Sequence, residues 1–310
     1  MNDLLVDMGN TAVKWCLAQP KGQRLGVVHS MPWGSGASST TAVARSMARE
    51  MAQQIRSDSS AASTERDARK RELIYCSVAS AERTQALVEA VCKTLQCQAR
   101  PFFSQAKVTL SPGALPAHLG ERCELLNSYK RPRQLGSDRW AALLGLVASP
   151  ALWRGLIAAD GQADGQADGQ AVLVSAGTAT VMDWLGIDSL SSQGTTRFCF
   201  QGGTIRPGYG LMASVLGQSA AGLGPESPAV TKRAMQAGIA QAEVSGVFSR
   251  GQPGLVVVHG GFARQWLKDF RHASGATGQS ALDGQMGGAS VVHAQGLVLQ
   301  GLRAWRQTQL

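Results

Sequence analysis

The chain has 310 residues, an apolar fraction of 44% and a formal net charge of +9, enough length for two domains that each bury a core. The longest charge-free apolar stretch near the middle of the chain, 140–153, is too short to span a bilayer, and Met1-Asn2-Asp3 lacks the basic and apolar regions of a signal peptide, so a cytoplasmic protein without membrane association is expected. The positive charge suits anionic partners, while Cys16, Cys76, Cys92, Cys97, Cys123 and Cys199 have no C-x-x-C spacing and read as buried or incidental thiols.

In chain order, an apolar strand runs through Leu4 to Asp7 into the turn Gly9-Asn10-Thr11 and out through Val13 and Lys14. The pattern returns at 172–180, where Val172-Leu173-Val174-Ser175-Ala176 meets Gly177-Thr178-Ala179-Thr180, about half a chain length away. A glycine lets the backbone approach an oxyanion, and exposed N–H groups and hydroxyls then donate to phosphate. One such turn by itself is also a plain chain reversal. Two of them point to a duplicated, two-lobed phosphate clamp.

Val43, Met47, Met51 and Ile55 recur every four residues and predict a helix over 41–56. A polar connector over 57–71 follows, then a strand at 73–78, a helix with the stripe Leu87, Val88, Val91 and Leu95, and a short strand through Phe102 and Phe103. Pro112, Gly113 and Pro116 punctuate the end of this α/β lobe. The reading divides the chain into a first lobe, 1–124, and a second, 125–310.

The second lobe opens with a helix from Ser137 to about Val147. Residues 161–170 repeat Gly-Gln-Ala-Asp, offer nothing apolar larger than alanine, and are expected to form a mobile inserted loop. Gly202 to Gly210 reads as a second glycine-rich loop that feeds a helix from Leu211 to about Ser219. Leu255 to Val258 is a buried strand ending in His259-Gly260-Gly261 and opening a helix through Phe262, Trp266 and Leu267. Such a junction admits a flat base or a phosphate, although close helix–strand packing explains the same glycines. A closing helix is expected from Val291 to Trp305.

The block from Tyr129 to Trp140 concentrates the chemistry. Asp138 and Arg139, adjacent at a helix start, point in different directions, so one can face a hydroxyl while the other holds an anion. The alternative is a Ser137 or Asp138 N-cap with exposed charges.

Together these stretches resemble the type III pantothenate kinases of the acetate and sugar kinase/Hsp70/actin superfamily. The motifs, in order, are Asp7 to Thr11 with Lys14, the Tyr129 to Arg139 block, Ala176 to Thr180 with Asp183, Gly202 to Gly208, and Gly260-Gly261. The resemblance implies an α/β fold of two ribonuclease-H-like lobes (the actin-like ATPase fold), mixed sheets flanked by helices, with ATP and pantothenate between the lobes. It implies phosphorylation of pantothenate to 4′-phosphopantothenate, the first step of coenzyme A biosynthesis. By the same resemblance Gly9, Asn10, Thr11 and Lys14 hold phosphate and Asp7 coordinates Mg²⁺. Gly177, Thr178, Ala179 and Thr180 clamp from the other lobe, and Gly260 and Gly261 lie near the adenosine. Asp138 is implied as the base. Tyr129, Gly136, Ser137 and Arg139 are implied to bind pantothenate, completed by Thr231 from the other subunit of a homodimer.

One departure stands out. The family pattern has an Asp two residues before the second glycine, associated with a monovalent cation, K⁺ or NH₄⁺, where this chain has Ser175. Two other functions are weighed: a regulatory accessory protein binding nucleic acid or a transcription partner, and another small-molecule kinase of the same fold. No helix-turn-helix, zinc finger or aromatic-basic platform supports nucleic-acid binding, and the basic run 66–71 is interleaved with acids. The Gly136 to Arg139 block, in place of a sugar-reading acidic cluster, argues against a sugar kinase.

Overall fold

Leu4–Met8, all five side chains buried, form strand β1 at the centre of the first sheet. The computed structural model describes residues 3–18, 25–34, 39–58, 71–110, 122–149, 151–152, 169–188, 195–208, 211–212, 215, 228–274, 285–286 and 289–309. The chain divides into two units: Met1–His118 with Tyr129–Ser149 and Gly296–Leu310, and Leu119–Ser128 with Pro150–Gln295.

In the first unit β1 pairs antiparallel with β2 (Ala12–Leu17), which pairs antiparallel with β3 (His29–Pro32). On its other edge β1 pairs parallel with β4 (Glu72–Ser77), and β4 with β5 (Gln98–Pro101), giving the order β3-β2-β1-β4-β5. A short strand β6 (Lys107–Leu110) follows. Helices cover both faces, and a central strand buried on both sides explains the near-continuous apolar run of β1. Leu4, Val6 and Met8 pack against α1 (Thr40–Asp58) and α2 (Ala81–Leu95) through Met47, Met51, Ile55, Leu87 and Val91. The other face receives α3 (Ser137–Val147) and α6 (Leu297–Gln307).

These two helices cross where neither has a side chain. A β-carbon on Gly145 would fall on the Leu297 carbonyl, and one on Gly301 on the Ala141 carbonyl. That crossing, with α6 against β1 and α3 against β4, gathers 129–149 and the C-terminus into the first unit. It corrects the sequential 1–124/125–310 division. Ion pairs from Arg306 to Asp3 (3.0 Å) and Glu72 (2.9 Å) fix the end of α6 to the starts of the inner strands β1 and β4.

The second unit repeats the plan. Strand β8 (Gln170–Ala176) pairs antiparallel with β9 (Ala179–Asp188), and β9 with β10 (Thr195–Pro207). On the other edge β8 pairs parallel with β11 (Leu255–His259), and β11 with β13 (Ala289–His293). The order β10-β9-β8-β11-β13 therefore reproduces β3-β2-β1-β4-β5 strand for strand, the two mixed sheets expected of ribonuclease-H-like lobes. Strand β7 (Arg122–Asn127) adds parallel to β10 and the short β12 (Gln285–Met286) adds antiparallel to β13. Helix α5 (Ala263–Ala273) packs Trp266, Leu267 and Phe270 onto this sheet and pairs with α4 (Pro228–Val247). Among the described residues no helix is long and apolar enough to cross a membrane.

Several expectations change. Gly202 and Gly203 lie within β10, at a break in its register between Phe200 and Gly203, and not in a loop; an irregularity of this kind is the usual place for glycine inside a strand. The closing helix begins at Leu297 because Val291 belongs to β13 and Gly296 turns the chain with φ +66°. Phe102 and Phe103 follow β5 instead of forming it. The connector over 59–70, the Pro112 to Pro116 segment, almost all of the Gly-Gln-Ala-Asp repeat and most of the 211–219 helix lie outside the described residues.

Replacing Gly301 with alanine is expected to force α3 and α6 apart and cost about 1–3 kcal/mol or more. Urea unfolding checks this, and a loss below about 0.5 kcal/mol would show that the crossing is not close-packed.

Candidate functional site

The two turns found in the sequence occupy the same place in the two sheets and are closed by the same hydrogen bonds. In the first, Gly9 N donates to Ala12 O at 3.0 Å; in the second, Gly177 N donates to Ala179 O at 3.0 Å. The third strand of each sheet ends in a proline that pairs with the residue after the turn, Pro32 with Ala12 and Pro207 with Ala179. The next residue then donates back into the turn: Trp33 N to Thr11 O at 3.0 Å, Gly208 N to Thr178 O at 2.9 Å. The register shows one difference. Three residues separate Met8 from Ala12, whereas Gly177 and Thr178 alone separate Ala176 from Ala179. Ala179 and Thr180 thus already belong to strand β9.

The residues before the turns diverge. Asp7 lies directly opposite Lys14 across the hairpin and beside Cys76, whose thiol donates to Asp7 Oδ1 at 3.8 Å. Burial pushes the Asp7 carboxyl up from 3.8 to about 6, with Lys14 opposing and Asp138 adding to the rise. At the equivalent positions of the second unit stand Ser175, Val181 and His259, with Ser175 Oγ and His259 Nε2 2.6 Å apart. None of these three positions carries a carboxylate.

Asp138 reaches the same field from α3. Ser137 Oγ donates to Ser77 O at the end of β4 (3.1 Å), and Ser104 Oγ donates to Leu135 O (2.8 Å), which anchors the helix start. The N-cap is Gly136, not Ser137 or Asp138. Asp138 Oδ1 accepts from Arg139 N at 2.8 Å, and a β-carbon at Gly136 would stand 2.7 Å from that oxygen. Burial raises the Asp138 carboxyl above its ordinary value; the Arg139 N–H, the Arg139 charge and Lys14 oppose it. Tyr129 and Arg139 are half-buried in the same unit. Asp7, Gly9, Asn10, Thr11, Lys14, Tyr129, Gly136, Ser137, Asp138 and Arg139 therefore all belong to the first unit.

The second unit holds Gly177 to Thr180, Gly260 and Gly261. Gly260 has φ +108°, a backbone that favours glycine, and its missing β-carbon would fall on Ala176 O; Phe262 N donates to that oxygen at 3.0 Å. Close packing at the end of β8 thus accounts for Gly260, while Gly261 is exposed with no neighbour at its absent β-carbon. Beside this junction a cavity of about 30 Å³ is lined by Gly177, Thr180, Glu243, Phe262, Trp266 and Phe270. The buried Glu243 carboxyl is raised by burial, opposed by the Trp266 indole and Arg206. Sequence reasoning missed Glu243 because it missed α4, whose apolar residues draw no clear stripe. Thr231 lies in α4, and its side chain is outside the described residues.

The donor set fits Mg²⁺ of the kind bound mainly through phosphate. Such an ion needs one or two carboxylates plus waters and phosphate oxygens, and Asp7 with Asp138 supplies two, the charge of Asp138 adding to the cost of ionising Asp7. Among the described residues no group of three or more His, Cys, Asp or Glu could hold a metal by itself.

A family model described as type III pantothenate kinase matches residues 3–249. The chain is similar to proteins named type III pantothenate kinase from Azoarcus sp. (strain BH72), 36% identical over 39% of this chain and 38% of that one, and from Laribacter hongkongensis (strain HLHK9), 31% identical over 71% of this chain and 64% of that one. It spans less than two thirds of the length of these curated relatives. Among solved structures, the inorganic polyphosphate/ATP-glucomannokinase from Arthrobacter sp. strain KM aligns over 100% of both chains at 15% identity and TM-score 0.46.

The raised Asp7 carboxyl carries a stability cost of definite sign. Folded, the group keeps its proton up to about pH 6; unfolded, only to about 3.8, so stability falls as pH rises between these values. At pH 8 the full penalty, about 3 kcal/mol, is present. Asp7→Asn is expected to raise the ligand-free protein's stability by up to that amount at pH 8 and by almost nothing below pH 4. Denaturant titrations at both pH values check it, and an Asn variant no more stable than wild type at pH 8 would contradict the burial cost.

Proposed function

Since the chain belongs to the type III pantothenate kinase family, we propose that it transfers the γ-phosphoryl group of ATP to the hydroxyl of pantothenate. The hydroxyl oxygen bonds to the γ-phosphorus, the bond from that phosphorus to the β–γ bridging oxygen breaks, ADP leaves, and the hydroxyl proton passes to Asp138. The observation that carries this reading is the pair of Gly-Thr turns closed by matching backbone hydrogen bonds, one with the buried Asp7, the half-buried Asp138 and the cation Lys14 beside it. Phosphoryl transfer asks a protein mainly to position reactants and to neutralise charge.

In this reading Gly9, Asn10, Thr11 and Lys14 hold phosphate from the first unit, and Gly177, Thr178, Ala179 and Thr180 from the second. The adenosine lies near Gly260 and Gly261. Asp7 would hold Mg²⁺, which would supply neutralisation of phosphate charge. Asp138 suits a base because burial brings its pKa closer to working pH. Arg139 offers a fork matched to the pantothenate carboxylate, with Tyr129, Gly136 and Ser137 lining the substrate. Thr231 completes the pocket of a second copy in a homodimer, and the protein works in the cytoplasm. Ser175, bonded to His259, leaves no carboxylate for a monovalent cation, so K⁺ is not required.

Release of ADP is to be measured with pantothenate against a panel of sugars and hydroxy acids. Pantothenate-dependent turnover is expected, and its absence from the folded protein would sink the reading. Asp138→Asn is expected to lower kcat by roughly 10²- to 10⁴-fold. The wild-type activity should fall as pH drops through a carboxylate raised above its ordinary range, and the variant should lose that limb; an unshifted residual activity would remove Asp138 as base.

Exchanging K⁺ for a bulky organic cation at constant ionic strength is expected to change kcat less than about threefold, and Ser175→Asp to introduce K⁺ dependence. A wild-type protein silent without K⁺ would refute this.

A further inference from the structure

We infer that Trp33 and Arg83 are positioning residues that aim the peptide N–H groups of the first turn at phosphate; the phosphate role rests on the kinase reading above. All three carbonyls of Gly9, Asn10 and Thr11 are occupied by donors. The Trp33 indole N–H donates to Gly9 O at 2.8 Å, Arg83 Nη1 donates to Asn10 O at 3.2 Å, and Trp33 N donates to Thr11 O at 3.0 Å. The two braces hold each other, with the Arg83 guanidinium 5.3 Å from the centre of the Trp33 ring, within cation–π range.

Peptide geometry turns this into a direction. In a planar trans peptide the C=O of one residue and the N–H of the next point to opposite sides, and no cis bond occurs among the described residues. Pulling the Gly9 and Asn10 carbonyls toward Trp33 and Arg83 therefore turns the N–H groups of Asn10 and Thr11 the other way. Successive N–H groups held on one side make an anion-binding concavity. Arg83 adds positive charge behind the turn, and its own backbone is fixed by the α2 N-cap, where Arg83 N donates to Ser80 Oγ at 3.3 Å.

The second turn explains why a side chain is needed only in the first. Gly208 occupies the place of Trp33, and a β-carbon there would fall on the Gly177 carbonyl. With one residue fewer, that turn is closed by backbone bonds from Gly177 to Ala179 and from Gly208 to Thr178. The longer first turn leaves room for an indole and two further carbonyls for Trp33 and Arg83 to hold.

The test uses Trp33→Phe, which keeps an aromatic face for Arg83 and deletes the indole donor, and Arg83→Met, which deletes the other donor at a half-buried position. Amide hydrogen exchange is read on the ligand-free full chain, and binding of inorganic tripolyphosphate by calorimetry. Each variant is expected to exchange the Asn10 and Thr11 amides roughly tenfold faster, with α1 unchanged, and to bind tripolyphosphate roughly tenfold more weakly, the upper range for one hydrogen bond. The KM for pantothenate should stay within about twofold. Unchanged exchange in both variants overturns the brace. Faster exchange with unaltered tripolyphosphate affinity overturns its phosphate role. Wild-type protein that binds neither tripolyphosphate nor ATP overturns the kinase reading and that role with it, while the exchange result still decides the brace.

Discussion

Each half of the molecule depends on one hydrogen bond, from the backbone N–H that follows the third strand to the carbonyl of the threonine in the first hairpin. Trp33 to Thr11 and Gly208 to Thr178 make it in turn. The preceding prolines, Pro32 and Pro207, have no N–H of their own to give, so the next residue is the first able to donate. This bond ties a two- or three-residue turn to a strand two positions away in the sheet. The turn's backbone then needs no ligand to hold its shape. Preorganised donors of this kind cost no rearrangement when charge arrives.

From that frame the chemistry becomes asymmetric. The first unit buries Asp7 opposite Lys14 and brings Asp138 into the same field through α3, whose start is pinned by Ser137 and Ser104. Both carboxyls are raised by burial, so the ligand-free protein carries an electrostatic cost that bound cations would relieve. The second unit has Ser175, Val181 and His259 at the matching places, with no carboxylate among them. The two units share the turn and the strand order around it, and the paired carboxylates accompany only the first turn.

A small-residue contact holds the acidic field in place. Helix α3 carries Asp138 and is held by α6 through Gly145 and Gly301, while α6 is held to the starts of β1 and β4 by Arg306 with Asp3 and Glu72. The last turn of the chain therefore supports the position of a residue near its middle.

The sequence by itself determined the two Gly-Thr turns, the helix bearing Asp138 and Arg139, and the strand running into Gly260-Gly261. Each is a local signal, a period or a turn composition, and local signals survive without knowledge of partners. Only the tertiary structure decided that 129–149 and 296–310 join the first unit, because the cause is a Gly145–Gly301 contact between helices far apart in the chain. It decided that Gly202 and Gly203 sit inside a strand, since β10 pairs with β9 on both sides of the register break there. It also decided that Trp33 and Arg83 serve the first turn. Trp33 lies in a short connection and Arg83 on a helix flank, and neither has a periodicity or motif to mark it. Their roles come from hydrogen bonds to carbonyls 22 to 73 residues away, a distance at which composition and spacing carry no information.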